Sequence, residues 1–253
     1  MMEEANLSSR FAGTIRLFGE DGFGRLQRAH ICVVGVGGVG SWAVETLARS
    51  GVGMLTLIDG DVVVESNINR QLPALESNLG KPKVSVLAQR IAEINPECRV
   101  SAVQQFMTPD NMTALIGEKR FDFVIDAIDS VRDKTALIAY CRDHGVQLIT
   151  VGGAGGQIDP TRIAICDLSR TQQEPLLAKV RKRLRSQYGF TRNPKNKFGI
   201  DAVYSLEPVR YPATATGDDV AQTQQAGFGT TMAVTASFGM AAASYVMRRI
   251  AGI

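Results

Sequence analysis

A chain of 253 residues, 45% hydrophobic and 21% charged, is long and apolar enough to bury a sizeable core and shows no bias toward disorder. Its net charge of +3, from 28 Lys and Arg against 25 Asp and Glu, is too mild to mark a nucleic-acid binder by composition alone. Four scattered cysteines (Cys32, Cys98, Cys141, Cys166) form no C-x-x-C pair, and the N-terminus has neither a basic region nor an apolar run; together these argue against structural zinc, a disulfide framework or a secretory signal, and predict a cytoplasmic protein.

Residues 1–9 are polar and predict a frayed start. Arg10 to Phe18 mixes aromatic, aliphatic and basic residues, and Gly22 to Ala29 reads as a short helix leading into a first strand, Ile31–Gly35. Gly35-Val-Gly-Gly-Val-Gly40 is then a glycine turn between strand and helix, the arrangement that offers backbone N–H groups and a helix N-terminus to phosphates. Ser41 to Ser50 predicts that helix, with Gly51 as its stop, and Met54–Asp59 a second strand. Asp59 lies 24 residues beyond Gly35, about where a dinucleotide fold places the carboxylate that grips a ribose hydroxyl.

Asn67 to Asn78 is polar and aperiodic, which predicts a functional loop. Lys83 to Asn95 is helical, with Val84, Leu87, Ala88, Ile91 and Ile94 on one face and Pro96 following. Arg99–Phe106 predicts a third strand and Pro109–Ile116 a short helix. Phe121–Ile125 predicts a fourth strand, ending in Asp126-Ala-Ile-Asp129-Ser130. Lys134 to His144 reads as a helix closed by Gly145, and Gln147–Val151 as a fifth strand running into Gly152–Gly156.

This alternation predicts an α/β fold with a Rossmann-like, mostly parallel sheet. Ligands of such sheets sit beyond the carboxyl ends of the strands, so Gly35–Gly40, Asp59, Asp126–Asp129 and Gly152–Gly156 are expected to converge on one crevice. After Pro160 the pattern changes. Ile163–Leu168 and Val203–Tyr211 predict antiparallel additions to the sheet, flanking a basic helix and loop at about 172–200. Leu176, Leu177, Val180 and Leu184 form one side of that helix; Lys179, Arg181, Lys182, Arg183 and Arg185 lie elsewhere on it, and Arg192, Lys195 and Lys197 follow. Residues 212–226 predict a mobile crossover. Gly227 to Ile253 reads as a closing helix, uncharged from Ala226 to Met247. It is either a membrane span or a helix packed closely on the sheet, and its Ser and Thr side chains favour the second.

A nicotinamide dehydrogenase explains the glycines and Asp59 and nothing after them; ATP chemistry explains the rest. Arg70 can neutralise and orient a γ-phosphate, while Asn67 and Gln71 hydrogen-bond sugar or phosphate oxygens. Lys83 supplies a point charge to the α-phosphate, where negative charge builds during displacement. Asp129 can hold Mg²⁺, with Asp126 either a second carboxylate or a cap at the strand end.

Gly35-x-Gly-Gly-x-Gly40, Asp59-x-Asp61, Ser66-Asn-x-Asn69-Arg-Gln71, Gly80-Lys-x-Lys83 and Asp126-x-x-Asp129-Ser130 resemble the adenylating fold of ubiquitin-activating enzymes and their bacterial relatives in thiamine and molybdopterin synthesis. A narrower likeness covers nearly the whole chain. Arg10-Phe-x-Gly-Thr, His30-Ile-Cys-Val, Val124-Ile-Asp-Ala-Ile-Asp-Ser-Val131, Ile138-Ala-Tyr-Cys-Arg142 and above all Gly152-Gly-Ala-Gly-Gly-Gln-Ile-Asp-Pro160 are similar to the tRNA threonylcarbamoyladenosine dehydratases.

The resemblance implies a single ThiF-type adenylating domain over residues 1–253. Its activity would be ATP-dependent activation of the carboxylate of threonylcarbamoyladenosine in tRNA, followed by ring closure within the same side chain. It also implies a homodimer in which an N-terminal arginine, here Arg10 with Arg16 as a weaker candidate, reaches the neighbour's ATP. The basic segment 179–197 then either tracks tRNA phosphates or is simply a solvated face. Two other functions fit the same motifs: adenylation of a ubiquitin-like sulfur carrier, and a docking module for a sulfur-transfer partner.

Overall fold

A computed structural model describes residues 7–117, 120–211 and 228–253. The crossover expected at 212–226 and most of the polar start lie outside the described residues. Seven strands form one sheet in the order β3-β2-β1-β4-β5-β7-β6. They are β1 His30–Val34, β2 Met54–Ile58, β3 Arg99–Val103, β4 Phe123–Asp126, β5 Leu148–Val151, β6 Ile163–Asp167 and β7 Asp201–Ser205. The helices used below are α1 Leu7–Arg10, α2 Ala12–Arg28, α3 Gly40–Arg49, α4 Lys83–Ile94, α5 Val131–Asp143, α6 Pro175–Gln187 and α7 Met232–Ala251.

The first five strands pair in parallel, as alternating apolar runs and helices predict. The C-terminal part adds the expected antiparallel pair, β6 with β7. Only β6 runs antiparallel; β7 inserts between β5 and β6 and runs parallel to β5. The strand expected at 203–211 stops at Ser205, because Glu207 turns its carboxylate back to accept the N–H groups of Ile158 and Asp159. Asp167 fixes the other side of this edge, accepting N–H from Ser169, Phe198 and Gly199.

The helix expected at Gly22–Ala29 begins earlier, at Ala12, and bends at Gly19, whose φ of 72° a side chain would strain. In place of a short helix at 109–116 there is one wide π-type turn at Thr113–Gly117. The helix read from Lys134 starts at Val131, where Ser130 caps it by accepting the Asp133 N–H and donating its own hydroxyl to the Asp133 carboxylate.

Two apolar layers sandwich the sheet. One contains Leu47, Leu55, Ile91, Ile149, Phe238 and Val246; the other contains Val34, Val124, Ile138, Leu177, Leu184 and Tyr204. The closing helix is the packed form. Among the described residues no helix is long and apolar enough to cross a membrane. The small residues of α7 instead let it approach α3: a Cβ on Gly239 would stand 2.3 Å from the Val39 carbonyl oxygen.

Candidate active site

The strand order reverses between β1 and β4, and a cleft of about 620 Å³ opens beyond their carboxyl ends. Of the residues singled out from the sequence, Gly35, Gly37, Gly38, Asp59, Asp61, Arg70, Gln71, Lys83 and Asp129 all line it. Residues as far as 94 positions apart in sequence, Gly35 and Asp129, therefore meet in one crevice.

The glycine turn divides its labour. Gly35 has φ 82°, and a Cβ there would meet the Ala127 carbonyl oxygen at 2.8 Å. Gly40 does not line the cleft. It is bare because a Cβ would lie 1.8 Å from the Gly35 carbonyl oxygen, so it closes the turn onto the start of α3. Gly37 and Gly38 face the cleft, and the Arg70 stem packs against Gly38.

Asp59, at the end of β2, is buried and already engaged. One oxygen accepts the Val36 N–H at 2.7 Å and the other the Asp61 N–H at 2.9 Å. A carboxylate has about four lone-pair sites, so acceptor capacity for a ribose hydroxyl remains. Its first structural task is to fix the glycine turn. Gln71 is buried beside Gly37 with its Oε1 unpartnered, a carbonyl awaiting a donor.

Arg70 is held by its backbone and by one end of its fork. The Trp42 indole donates to the Arg70 carbonyl at 3.0 Å, while Nη1 donates to the Ser66 carbonyl and to Asn69 Oδ1, each at 2.8 Å. No carboxylate pairs with it among the described residues, so Nε and Nη2 are left for an anion. Lys83, at the first turn of α4, is nearly buried, and its Nζ lies 2.8 Å from the half-exposed Asp61 carboxylate.

Asn67 and Asn69 do not reach the cleft. Asn67 is buried and accepts the Val64 N–H; Asn69 donates to the Thr230 carbonyl, tying the loop to the chain that enters α7. Asp126 lies beneath the cleft rather than in it. The Lys134 ammonium is 3.0 Å from its Oδ2, the Thr150 hydroxyl donates to the same oxygen at 2.7 Å, and Oδ1 accepts the Ile128 N–H. Burial pushes the Asp126 carboxyl up and Lys134 pulls it back. Of the two readings of Asp126, the geometry is that of the strand-end cap. Asp129 is exposed in the cleft with no partner to its carboxylate among the described residues.

Arg10 is elsewhere. Its guanidinium donates to the carbonyls of Glu93 and Ile94, satisfying the last turn of α4 within the same chain. In the basic segment, three cations have protein partners. Arg181 donates to Thr171, Arg183 to Gln187, and Arg185 to the Thr191 carbonyl while lying over the Phe198 ring. Lys179, Lys182, Arg192, Lys195 and Lys197 stand exposed, and no ion pair engages them among the described residues.

The cleft also contains residues to which sequence reasoning assigned no individual role, some of them within the segments expected at the strand ends. Ile58, Phe106, Met107 and Ile128 make an apolar wall toward β2 and β3, suited to a purine. Gly60 is bare beneath the Phe106 ring, which a Cβ would approach to 2.6 Å. On the β5 side lie Gly152, Gly153, Leu176, Phe228 and Thr230. Glu174, the N-cap of α6, accepts N–H from Gly153, Leu176 and Leu177, so the basic helix is anchored directly to the glycine loop. Burial pushes the Glu174 carboxyl up, and those N–H groups hold it down in part. Gly152 and Gly153 stand where their place at a strand end predicts; Leu176 was hidden within an apolar helix face, and Phe228 within the stretch read as the closing helix, which begins only at Met232.

Residues 9–253 match the model of the ThiF family. The tRNA threonylcarbamoyladenosine dehydratase of Haemophilus influenzae is 50% identical over 247 residues, spanning 97% of this chain and 94% of its own. That of Escherichia coli is 51% identical over 251 residues, spanning 95% of this chain and 93% of its own. The crystal structure of the Escherichia coli enzyme, TcdA, in complex with ATP superposes with a TM-score of 0.89 at 49% identity, covering 99% of this chain and 97% of that one. Its complex with AMP superposes equally well. The chain belongs to the ThiF family.

Proposed function

We propose that this protein uses ATP to adenylate the carboxylate of threonylcarbamoyladenosine in tRNA and then releases the ring-closed, dehydrated base. The observation that carries the reading is the cleft itself: a glycine turn, an unpaired guanidinium, a buried ammonium and a free carboxylate meet in a chain half-identical to dehydratases along its whole length.

The substrate carboxylate attacks the α-phosphorus of ATP and pyrophosphate leaves. A nucleophile on the same side chain then attacks the acyl carbon, loses a proton, and expels AMP, which carries away the former carboxylate oxygen. The ring therefore closes with net loss of water and no covalent enzyme intermediate. The N–H groups of the turn at Gly37 and Gly38 and the start of α3 receive phosphate oxygens. Arg70 turns its free Nε and Nη2 to the triphosphate, and Lys83 is positioned by Asp61 to offset charge as the α-phosphate is displaced. Asp59 and the Gln71 carbonyl accept hydroxyl donors of the nucleotide. The donor set fits Mg²⁺ bound through one carboxylate and phosphate oxygens: Asp129 would hold it, and it would supply charge neutralisation to the triphosphate.

In the same reading the protein is a homodimer, checked by sedimentation. A trans role for Arg10 requires it to exchange the carbonyls of Glu93 and Ile94 for the partner's nucleotide. Incubation with ATP and modified tRNA, followed by nucleoside mass spectrometry, should show a base lighter by one water. Arg70→Ala and Asp129→Ala should each lose about 10²–10³-fold in rate, the usual cost of removing a group that stabilises developing charge. Wild-type rates in both would refute the site. Pyrophosphate exchange that needs a ubiquitin-like carrier and ignores tRNA would refute the substrate.

A further inference from the structure

A second cavity of about 730 Å³ adjoins the nucleotide cleft, and Arg70, Phe228 and Thr230 line both. Ser66, Ile68 and Asn69 form one wall of this groove and Phe228 and Gly229 the other. The Asn69 side-chain amide donates to the Thr230 carbonyl at 3.1 Å, pinning the two walls together. Ile68 is an exposed aliphatic side chain there, 46% accessible.

Phe228 is built into place. Its Cβ sits over Gly155, where a side chain would come within 2.7 Å, and its ring meets Tyr211 edge to face at 5.5 Å. One side of the ring is thus fixed by the glycine loop and Tyr211, while the residue stays partly exposed to the groove.

The proposed reaction places two purines at one α-phosphate, that of ATP and that of the substrate base. Among the described residues, the two aromatic side chains that line the cleft stand on opposite sides of the β1–β4 reversal. Phe106 follows β3; Phe228 faces the glycine loop that follows β5. The apolar wall around Phe106 suits the nucleotide purine; the glycine turn follows β1, which lies between β3 and β5 in the sheet, and Arg70 lines both the cleft and the groove.

Resting on the function proposed above, we infer that Phe228 is the stacking platform for the threonylcarbamoyl-bearing adenine of the tRNA. Ile68 packs from the other wall, and the carboxylate is directed past Arg70 toward the α-phosphate. An aromatic ring suits this work because every base has a π-face, and Arg70, which lines both cavities, places the triphosphate it binds at the mouth of this groove.

The test is steady-state kinetics with modified tRNA and ATP varied in turn. Phe228→Leu should raise the tRNA KM by about 5- to 150-fold, the range that loss of one base–aromatic stack produces. Its kcat at saturating tRNA and its ATP Kd should stay within about twofold, and Phe228→Trp should restore the tRNA KM. Ile68→Ala, on the exposed wall, should raise the tRNA KM in the same direction. An unchanged tRNA KM in Phe228→Leu, or an equal rise in the ATP and tRNA terms that Phe228→Trp fails to rescue, would overturn the platform. A wild-type protein that forms no cyclised base would overturn the function itself, an outcome separate from either.

Discussion

Lys134→Met is the sharpest probe of what holds the floor of the cleft. Lys134 is fully buried, with its ammonium 3.0 Å from Asp126 Oδ2 and 3.2 Å from the Asp126 carbonyl oxygen. At that separation an effective dielectric of about 20 gives a gross attraction of about 5 kcal/mol. Methionine fills similar volume, so the loss is chiefly electrostatic: an uncompensated buried carboxylate, costing about 3–5 kcal/mol. For a chain of this size that corresponds to a fall in Tm on the order of 10 °C.

The pH dependence of that loss carries a sign. Burial already pushes the Asp126 carboxyl up while Lys134 pulls it back, so removing Lys134 lets it rise further. The folded variant then keeps a proton that the unfolded chain sheds above about 4. Its stability accordingly falls as pH rises between those two values, and the penalty relative to wild type is smaller at pH 5 than at pH 8. Adding Asp126→Asn removes the stranded charge and should recover a large part of the loss. Chemical denaturation at the two pH values measures all of this. A penalty below about 1 kcal/mol, or one larger at pH 5 than at pH 8, would refute the argument.

Four further outcomes separate structural from functional residues. Gly40→Ala, whose Cβ would overlap the Gly35 carbonyl, should unfold the protein several degrees earlier. Gly37→Ala meets nothing nearer than Gln71 Nε2 at 3.6 Å, so it should keep its Tm while ATP affinity by calorimetry drops about tenfold. Burial pushes the Asp167 carboxyl up, but hydrogen bonds from Ser169, Phe198 and Gly199 outweigh it and leave it below the usual range. That stability is present above pH 4 and lost as pH falls through the lowered value, so Asp167→Ala should cost about 2 kcal/mol at pH 7 and progressively less below pH 4. Finally, replacing exposed Lys179 and Lys182 by alanine should reduce the slope of log KM for tRNA against log salt by about 0.7–0.9 per residue removed, whereas Arg181→Ala, whose guanidinium is spent on Thr171, should leave the slope unchanged.

The parallel sheet and the crevice were legible because apolar strands ending in glycine or aspartate are a local pattern, and strand ends fix where loops converge. What was not legible depended on contacts between distant segments. The strand expected at 203–211 ends at Ser205 and pairs parallel with β5 as well as antiparallel with β6, pairings that its own alternation does not encode. Asp126 and Asp129 look equivalent three residues apart, yet one faces Lys134 in the core and the other faces the cleft. Nothing in a run of three residues says which side chain points inward. In the basic segment, likewise, charge was visible in the sequence, but only packing showed that Arg181 and Arg185 brace Thr171 and Phe198.

Three carboxylates in and around this site, Asp59, Asp126 and Glu174, follow one rule that spacing alone could not reveal. Asp59 accepts the N–H of Val36 and of Asp61, Asp126 that of Ile128, and Glu174 that of Gly153. The loops after β1, β2, β4 and β5 are therefore each tied by a buried or nearly buried carboxylate to a backbone N–H. Ligand binding then has little loop motion to suppress, which is what preorganised electrostatic catalysis demands. These three carboxylates also leave the cleft with a short list of uncommitted charge, Arg70 and Asp129, plus Lys83 poised on the half-exposed Asp61. Loss of a loop-tying carboxylate should therefore weaken ATP binding and stability together. Loss of Arg70 or Asp129 should weaken turnover with stability intact.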